Sequence, residues 1–192
     1  MNPYQDSLQA ISKFRSFVKG DAIFHLGERS EAIFKVLKGE VHLYRHNQSG
    51  NRVLLYRAFE GNYFAEASLN SDIYHCTAEC AKASEIQVID SNKMTRLLDQ
   101  NSEFASKWIL ILSSELRRQR ASVERLNIKS AAGRVKHYIL TEGDSWGEIK
   151  LQGSLSDLSE VLGLSRESLY RTLSKLEKMG ELERSDQSLK LK

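Results

Sequence analysis

From Glu103 to Asn127 the chain contains neither glycine nor proline, and Ala105, Ile109, Leu112, Leu116, Gln119, Val123 and Leu126 recur at alternating spacings of four and three. That spacing places one narrow stripe on one side of a long helix, the pattern of a coiled-coil seam. Ser102 is in position to cap the helix. Arg117, Arg118, Arg120 and Arg125 crowd the remaining surface, which predicts a solvated, basic back. A helix packed on its own sheet shows the same kind of stripe. The narrowness of this one favours pairing with a second copy through Ile109, Leu112, Leu116, Gln119, Val123 and Leu126. Gln119 in the seam would cost stability and fix register.

The helix divides two segments of different character. Upstream, Ala22–Leu26, Ile33–Leu37, Val41–Tyr44, Val53–Tyr56, Thr77–Ala81 and Glu85–Ile89 read as short strands. Lys38-Gly39, Asn47–Asn51 and Gly61 punctuate them, and regularly broken strands of this kind build a barrel, roll or sandwich. Ser91 is placed to cap a short helix after the last strand. Met1 to Gly20 is polar and of mixed charge, without the apolar core of a signal peptide.

Downstream the pattern is helical. Ala131–Leu140 reads as a helix, Thr141–Gly147 as a loop and Ile149–Leu151 as a small strand. Ser154 and Asp157 have the spacing of a capping box. Their helix ends at Leu162, with Gly163 as a left-handed stop. Ser165 caps a second helix that runs to Met179. Leu182–Arg184, a turn at 185–188 and Leu189–Leu191 read as a terminal hairpin. Two helices joined by a tight turn form a helix-turn-helix, and the hairpin adds a wing. Leu158, Val161 and Leu162 of the first helix and Leu169, Leu173 and Leu176 of the second form its inner face, with Leu164 at the corner.

The outer face of the second helix carries Arg166, Glu167, Tyr170, Arg171 and Lys175. Arginine grips both acceptors of guanine and glutamate accepts from the cytosine amino group. Recognition helices contact base edges from their first turns, so Arg166, Glu167 and Arg171 are the candidate base contacts. Ser154, Ser165, Ser168 and Lys175 are the candidate phosphate contacts.

Composition narrows the class. The chain has 192 residues, with 41% hydrophobic and 28% charged, the profile of an ordinary globular protein. No uncharged apolar run is long enough to span a membrane, and a cytosolic protein is expected. The net charge of +3 says little about partners, because Ser130–Lys192 holds ten basic and ten acidic residues. Nucleic-acid binding must therefore rest on where the charges sit. Cys76 and Cys80 are too few for a disulfide framework or an all-thiolate cluster. On one strand their side chains would stand ~13 Å apart at ~3.3 Å per residue, too far to chelate one ion. No metal site is expected: the residues fit a structural cysteine and an exposed His75. No nucleophile–base pair or phosphate loop points to an enzyme.

Across about Lys19 to Lys192 the chain resembles the cyclic AMP receptor protein and fumarate-nitrate regulator (CRP/FNR) family. Leu164-Ser165-Arg166-Glu167-Ser168-Leu169-Tyr170-Arg171 is similar to the family's recognition helix. His25–Glu28 and Val36–Val41 are similar to its first hairpins, and Ala132–Val135 to the start of its DNA-binding domain. The resemblance implies an α+β chain in three parts. Residues 1–101 would form a β-roll of the cyclic-nucleotide-binding, jelly-roll type. Residues 102–128 would be the dimerisation helix and 129–192 a winged helix-turn-helix. It also implies a homodimer reading a palindromic, TGTGA-like site in double-stranded DNA through Arg166, Glu167 and Arg171, with RNA polymerase as a further partner if the protein activates.

The resemblance places an effector pocket at Glu66, His75, Cys76, Gln119 and Arg120. The pocket departs from the cyclic AMP pattern. Ala65-Glu66-Ala67 replaces Gly-Glu-Leu, and His75-Cys76 replaces the Arg-Ser pair. A histidine is mostly neutral at pH 7 and lacks the guanidinium fork that grips phosphate. Gln119 and Arg120 stand where a Thr-Ser pair would meet adenine. Cyclic AMP is therefore not the expected effector, and no cofactor is expected. The residues also fit a second class, a ligand or redox sensor that acts through protein partners.

Overall fold

The computed structural model describes residues 3–151, 153–185 and 187–192. The chain forms two compact units that divide between Trp108 and Ile109, inside the long helix.

The first unit is a roll of two four-stranded sheets. Its elements are α1 (Pro3–Ala10), β1 (Ser12–Phe17), β2 (Ala22–Phe24), β3 (Ala32–Lys38), β4 (Glu40–His46), β5 (Arg52–Phe59), β6 (Tyr63–Phe64), β7 (Thr77–Cys80), β8 (Ser84–Asp90) and α2 (Ser91–Gln100). One sheet has the order β1-β8-β3-β6 and the other β2-β7-β4-β5, and every pairing within them is antiparallel. Phe24, Phe34, Phe64 and Tyr74 stack between the sheets, with Phe24 and Tyr74 rings 3.8 Å apart. Val36, Val41, Ala78 and Ile86 fill the rest of that core. β3 buries both faces: Phe34 and Val36 point into this core, while Ile33, paired with Ile89, is buried where α2 and its Met94 cover the strands.

The six predicted strands are present. Two elements, α1 and β1, lie in the stretch that showed no pattern. Helix α1 offers only Tyr4 and Leu8 as an apolar pair. Tyr4 stacks on Phe104 at 4.6 Å and Leu8 is buried, so tertiary packing holds a helix too short to stand alone. Strand β1 is an edge strand with an exposed central run, so hydrophobic alternation could not reveal it.

Helix α3 (Ser102–Asn127) starts in the first unit and continues through the second. Its first turns belong to the roll: Phe104 and Trp108 are buried, and Trp108 meets Tyr63 edge-on at 5.0 Å. Two expected caps shift by one residue. Asp90, not Ser91, caps α2 by accepting from Lys93 N, and Asn101, not Ser102, accepts from Phe104 N at 2.9 Å to cap α3. Ser91 and Ser102 are instead the first helical residues, each preceded by a residue that caps a helix as well as serine does.

The second unit adds α4 (Ala131–Glu142), β9 (Glu148–Lys150), α5 (Leu155–Val161), α6 (Arg166–Lys178), β10 (Leu182–Arg184) and β11 (Ser188–Leu191). Helix α4 runs two residues past Leu140, so the predicted loop loses Thr141 and Glu142. Strand β11 pairs with both β10 and β9. The predicted turn at 185–188 includes Asp186, which lies outside the described residues. The core is aliphatic: Val135, Ile139, Leu158, Leu162, Leu169, Leu173, Leu176, Leu182 and Leu189. Val161 stays half-exposed outside it, and Leu155 packs against it instead.

One expectation for α3 is overturned. Arg125 does not join a solvated basic back; it is 2% exposed. Its guanidinium lies over the Tyr138 ring at 4.9 Å and 3.7 Å from a Glu142 oxygen, both on α4. Arg118 also approaches Glu142, at 3.8 Å. That side of α3 is the docking face for α4.

Candidate nucleic-acid interface

Helix α6 owes its position to its own sequence. Ser165 Oγ accepts from Ser168 N at 3.2 Å, which closes the first turn. Leu169, Leu173 and Leu176 fix the inner face and are essentially inaccessible. With the helix held that way at 3.6 residues per turn, Arg166, Glu167, Tyr170, Arg171 and Lys175 must face outward, and all are exposed. Among the described residues none of Arg166, Glu167, Arg171 and Lys175 takes part in an ion pair. Other charges of the same unit are engaged, as in Lys136–Glu181 at 2.8 Å and Arg184–Glu177 at 3.2 Å. The outer face thus presents two arginine forks and one carboxylate with their hydrogen-bonding capacity uncommitted.

The serines at helix starts differ. Ser154 completes the predicted capping box: its Oγ accepts from Asp157 N and donates to Asp157 Oδ2 at 2.7 Å. That hydroxyl proton is committed, and a carboxylate stands beside it. Ser165 Oγ accepts at the cap of α6, so its proton remains available to donate. Ser168 is half-buried one turn further on.

The α3 stripe is open. Ile109, Leu112, Leu116, Gln119, Val123 and Leu126 are all exposed, and Arg120 beside them is exposed too.

In the roll, Glu66 opens a single 3-10 turn, Glu66–Ser68. Ala65 before it has φ 62, the left-handed backbone that favours glycine. The turn therefore keeps a glycine-like path although the glycine is gone. His75 is exposed and Cys76 half-buried; both cysteines are free thiols, and Cys80 is buried. Burial pushes the Cys76 thiol up, Arg45 pulls it down and Glu66 pushes it up again, so Glu66, Cys76 and Arg45 form one electrostatic group. Arg45 carries no local sequence signal of a pocket residue. Strand β4 puts it there: Tyr44 pairs with Thr77, which sets Arg45 across from Cys76, and Arg45 Nε donates to the His75 carbonyl. Only strand register could have revealed this neighbour. Gln119 and Arg120 belong to the second unit. No helix among the described residues is long and apolar enough to cross a membrane.

Residues 14–101 match the cyclic nucleotide-binding domain, and residues 133–192 match the Crp-like helix-turn-helix domain. The chain is 23% identical over 182 residues to the anaerobic regulatory protein of Bacillus subtilis, covering 90% of this chain and 76% of that one. It is 24% identical over 166 residues to the cAMP-activated global transcriptional regulator CRP of Pasteurella multocida, covering 81% and 78%. The structure of FixK2 from Bradyrhizobium japonicum superimposes with a TM-score of 0.72 at 22% identity, covering 95% and 93%; it shares the fold. The two domains are those of a DNA-binding regulator and not of an enzyme. The chain belongs to the CRP/FNR family of transcription regulators.

Proposed function

We propose that this regulator acts in the cytoplasm as a homodimer on a near-palindromic, TGTGA-like DNA site, and that cyclic AMP is not its switch. The observation that carries the reading is the outer face of α6, where Arg166, Glu167 and Arg171 stand exposed over a buried leucine stripe and, among the described residues, outside any ion pair. Bidentate arginine reads guanine and a carboxylate reads cytosine from the first turns of such a helix. Ser165, Ser168 and Lys175 hold the flanking phosphates. Ser154 is the weakest of the phosphate candidates, since its hydroxyl and its backbone N–H both donate to Asp157.

The exposed α3 stripe supports the dimer. Fully burying one Leu, Ile or Val side chain is worth about 1.5–3 kcal/mol. The five residues are 37–62% exposed in the single chain, so pairing gains about half of that per side chain, roughly 8–15 kcal/mol over both copies, the same order as the ~4–15 kcal/mol cost of association. Two-fold symmetry then sets two half-sites about one helical turn apart, ~34 Å. As an activator, the dimer would also meet RNA polymerase.

The effector reading rests on the cassette. The position of the phosphate-gripping arginine holds His75, and the neighbouring Arg45 donates its Nε to the His75 carbonyl. The relatives named above include one described as cAMP-activated and one described as anaerobic, so the fold serves different signals.

Selection of binding sites from a random DNA library tests the function. A two-fold TGTGA-like motif is the expected result, and a wild-type protein that enriches no motif would refute the reading. Calorimetric titration tests the effector: low-micromolar cyclic AMP affinity with a matching gain in DNA affinity would overturn that part. Affinity appearing only in His75→Arg would support it directly.

A further inference from the structure

The Arg134 side chain donates to four backbone carbonyls of the second unit. Its Nη2 donates to the Leu126 carbonyl at 3.1 Å and its Nε to the Ile128 carbonyl at 2.7 Å, at the C-terminal end of α3. Its Nη1 donates to the carbonyls of Leu162 at 3.1 Å and Gly163 at 2.9 Å, at the C-terminal end of α5. The last carbonyls of a helix have no partner inside it and carry the negative end of its dipole. One planar cation therefore closes the ends of two helices at once: the long helix with the open apolar stripe, and the helix whose turn leads into the recognition helix.

Two glycines make the joint close. Gly163 has φ 61, and a Cβ there would stand 2.9 Å from Leu126 Cδ2 and 3.1 Å from Arg134 Nη1. The last residue of the α3 stripe thus rests on the turn of the helix-turn-helix. A Cβ on Gly133 would meet Ile128 Cγ2 at 2.7 Å, so the linker after α3 also lies against the start of α4.

We infer that Arg134 is a positioning residue for DNA recognition: it fixes the angle between the dimer helix and the recognition helix, and so dictates which half-site spacing the dimer accepts. The inference rests on the proposed dimeric reading of DNA. Each added base pair turns one half-site by about 34° around the duplex, at 10–10.5 base pairs per turn. A stiff joint cannot follow that rotation, and a loose one can. Leu126 gives the joint its second role. It lies in the stripe and on the turn, so the packing of the stripe reaches α6 through one side chain and one cation.

The test is site selection with the full-length protein on a library of paired half-sites separated by variable spacers. It uses wild type, Arg134→Gln and Arg134→Lys, with a thermal melt of each. Wild type should favour one spacer over those two base pairs longer or shorter by at least about tenfold, the size of one charge-assisted contact. Arg134→Gln should keep the half-site motif while its spacer preference falls below about threefold. Arg134→Lys keeps the charge without the planar fork and should fall between them. A residue that only supports the fold would move melting temperature and motif together and leave the spacer preference of the folded fraction unchanged. The inference is overturned if folded Arg134→Gln keeps the wild-type spacer preference, if it loses the half-site motif, or if neither variant folds. A wild-type protein that enriches a half-site motif without spacer preference also overturns it, while leaving DNA binding in place. A wild type that enriches nothing refutes the proposed function itself, and the inference with it.

Discussion

Helices α3 and α6 both carry apolar residues spaced by four and three, and the two stripes meet opposite fates. On α6, Leu169 and Leu173 are 0% exposed, sealed by α4, α5 and the wing. On α3, Ile109 is 60% exposed, Leu116 52% and Val123 62%. The same sequence signal therefore marks a finished core in one helix and an open surface in the other. The difference lies in the rest of the surface. Around its buried stripe α6 presents uncommitted arginines and a carboxylate, whereas α3 gives its second face to α4 through Arg118 and Arg125. A helix that spends its apolar face internally is left with charge to offer a polar ligand. Helix α3 buries Arg125 against α4 while Arg117, Arg118 and Arg120 stay exposed, and its apolar stripe is left open for a partner.

The sharpest break of this contrast is Asp at both Leu112 and Leu116. Both side chains are exposed, so the single chain should fold normally. The dimer should not form, and affinity for a two-half-site DNA should fall by at least about a hundredfold, since a monomer holds only one half-site. Sedimentation and gel shift report both, and a double variant that still sediments as a dimer would remove the stripe from the interface.

Leu173→Ala should behave in the opposite way. It empties a sealed core and should cost about 2–5 kcal/mol of stability in the winged domain. Chemical denaturation should show that loss at every protein concentration, whereas Leu116→Ala should destabilise mainly by weakening the dimer and should show a concentration-dependent midpoint. Equal, concentration-independent losses for both would erase the distinction between the two stripes.

On the outer face of α6, Arg171→Ala should lower specific affinity by about 1–3 kcal/mol per half-site and relax one base position. Non-specific binding should change far less. Glu167→Ala should relax the cytosine position with little loss of affinity. If Arg166→Ala and Arg171→Ala both return the wild-type motif, the recognition face lies elsewhere. The smallest effect is expected from Lys175→Ala, which should weaken all sequences alike and reduce the salt slope by about one.

Periodicity and punctuation alone made much of this protein legible. The strands of the roll from β2 to β8, apart from two-residue β6, could be read from short apolar runs broken by Gly39, Asn47–Asn51 and Gly61. The helix-turn-helix could be read from Ser154, Gly163 and Ser165, because a cap, a left-handed stop and a second cap are local chemistry that a few neighbouring residues decide. Other features needed the folded chain. Helix α1 exists because Phe104, a hundred residues later, offers Tyr4 a ring to stack on. Arg125 looked like one more surface arginine until α4 closed over it. Arg45 reaches Cys76 only through the register of β4 on β7, and Arg134 joins four carbonyls from the ends of two helices that no local pattern brings together. Propensity, capping and amphipathic spacing act over one or two turns, so the sequence determines them directly. Which buried charge meets which carbonyl or ring depends on segments far apart in the chain, and tertiary packing alone decides it.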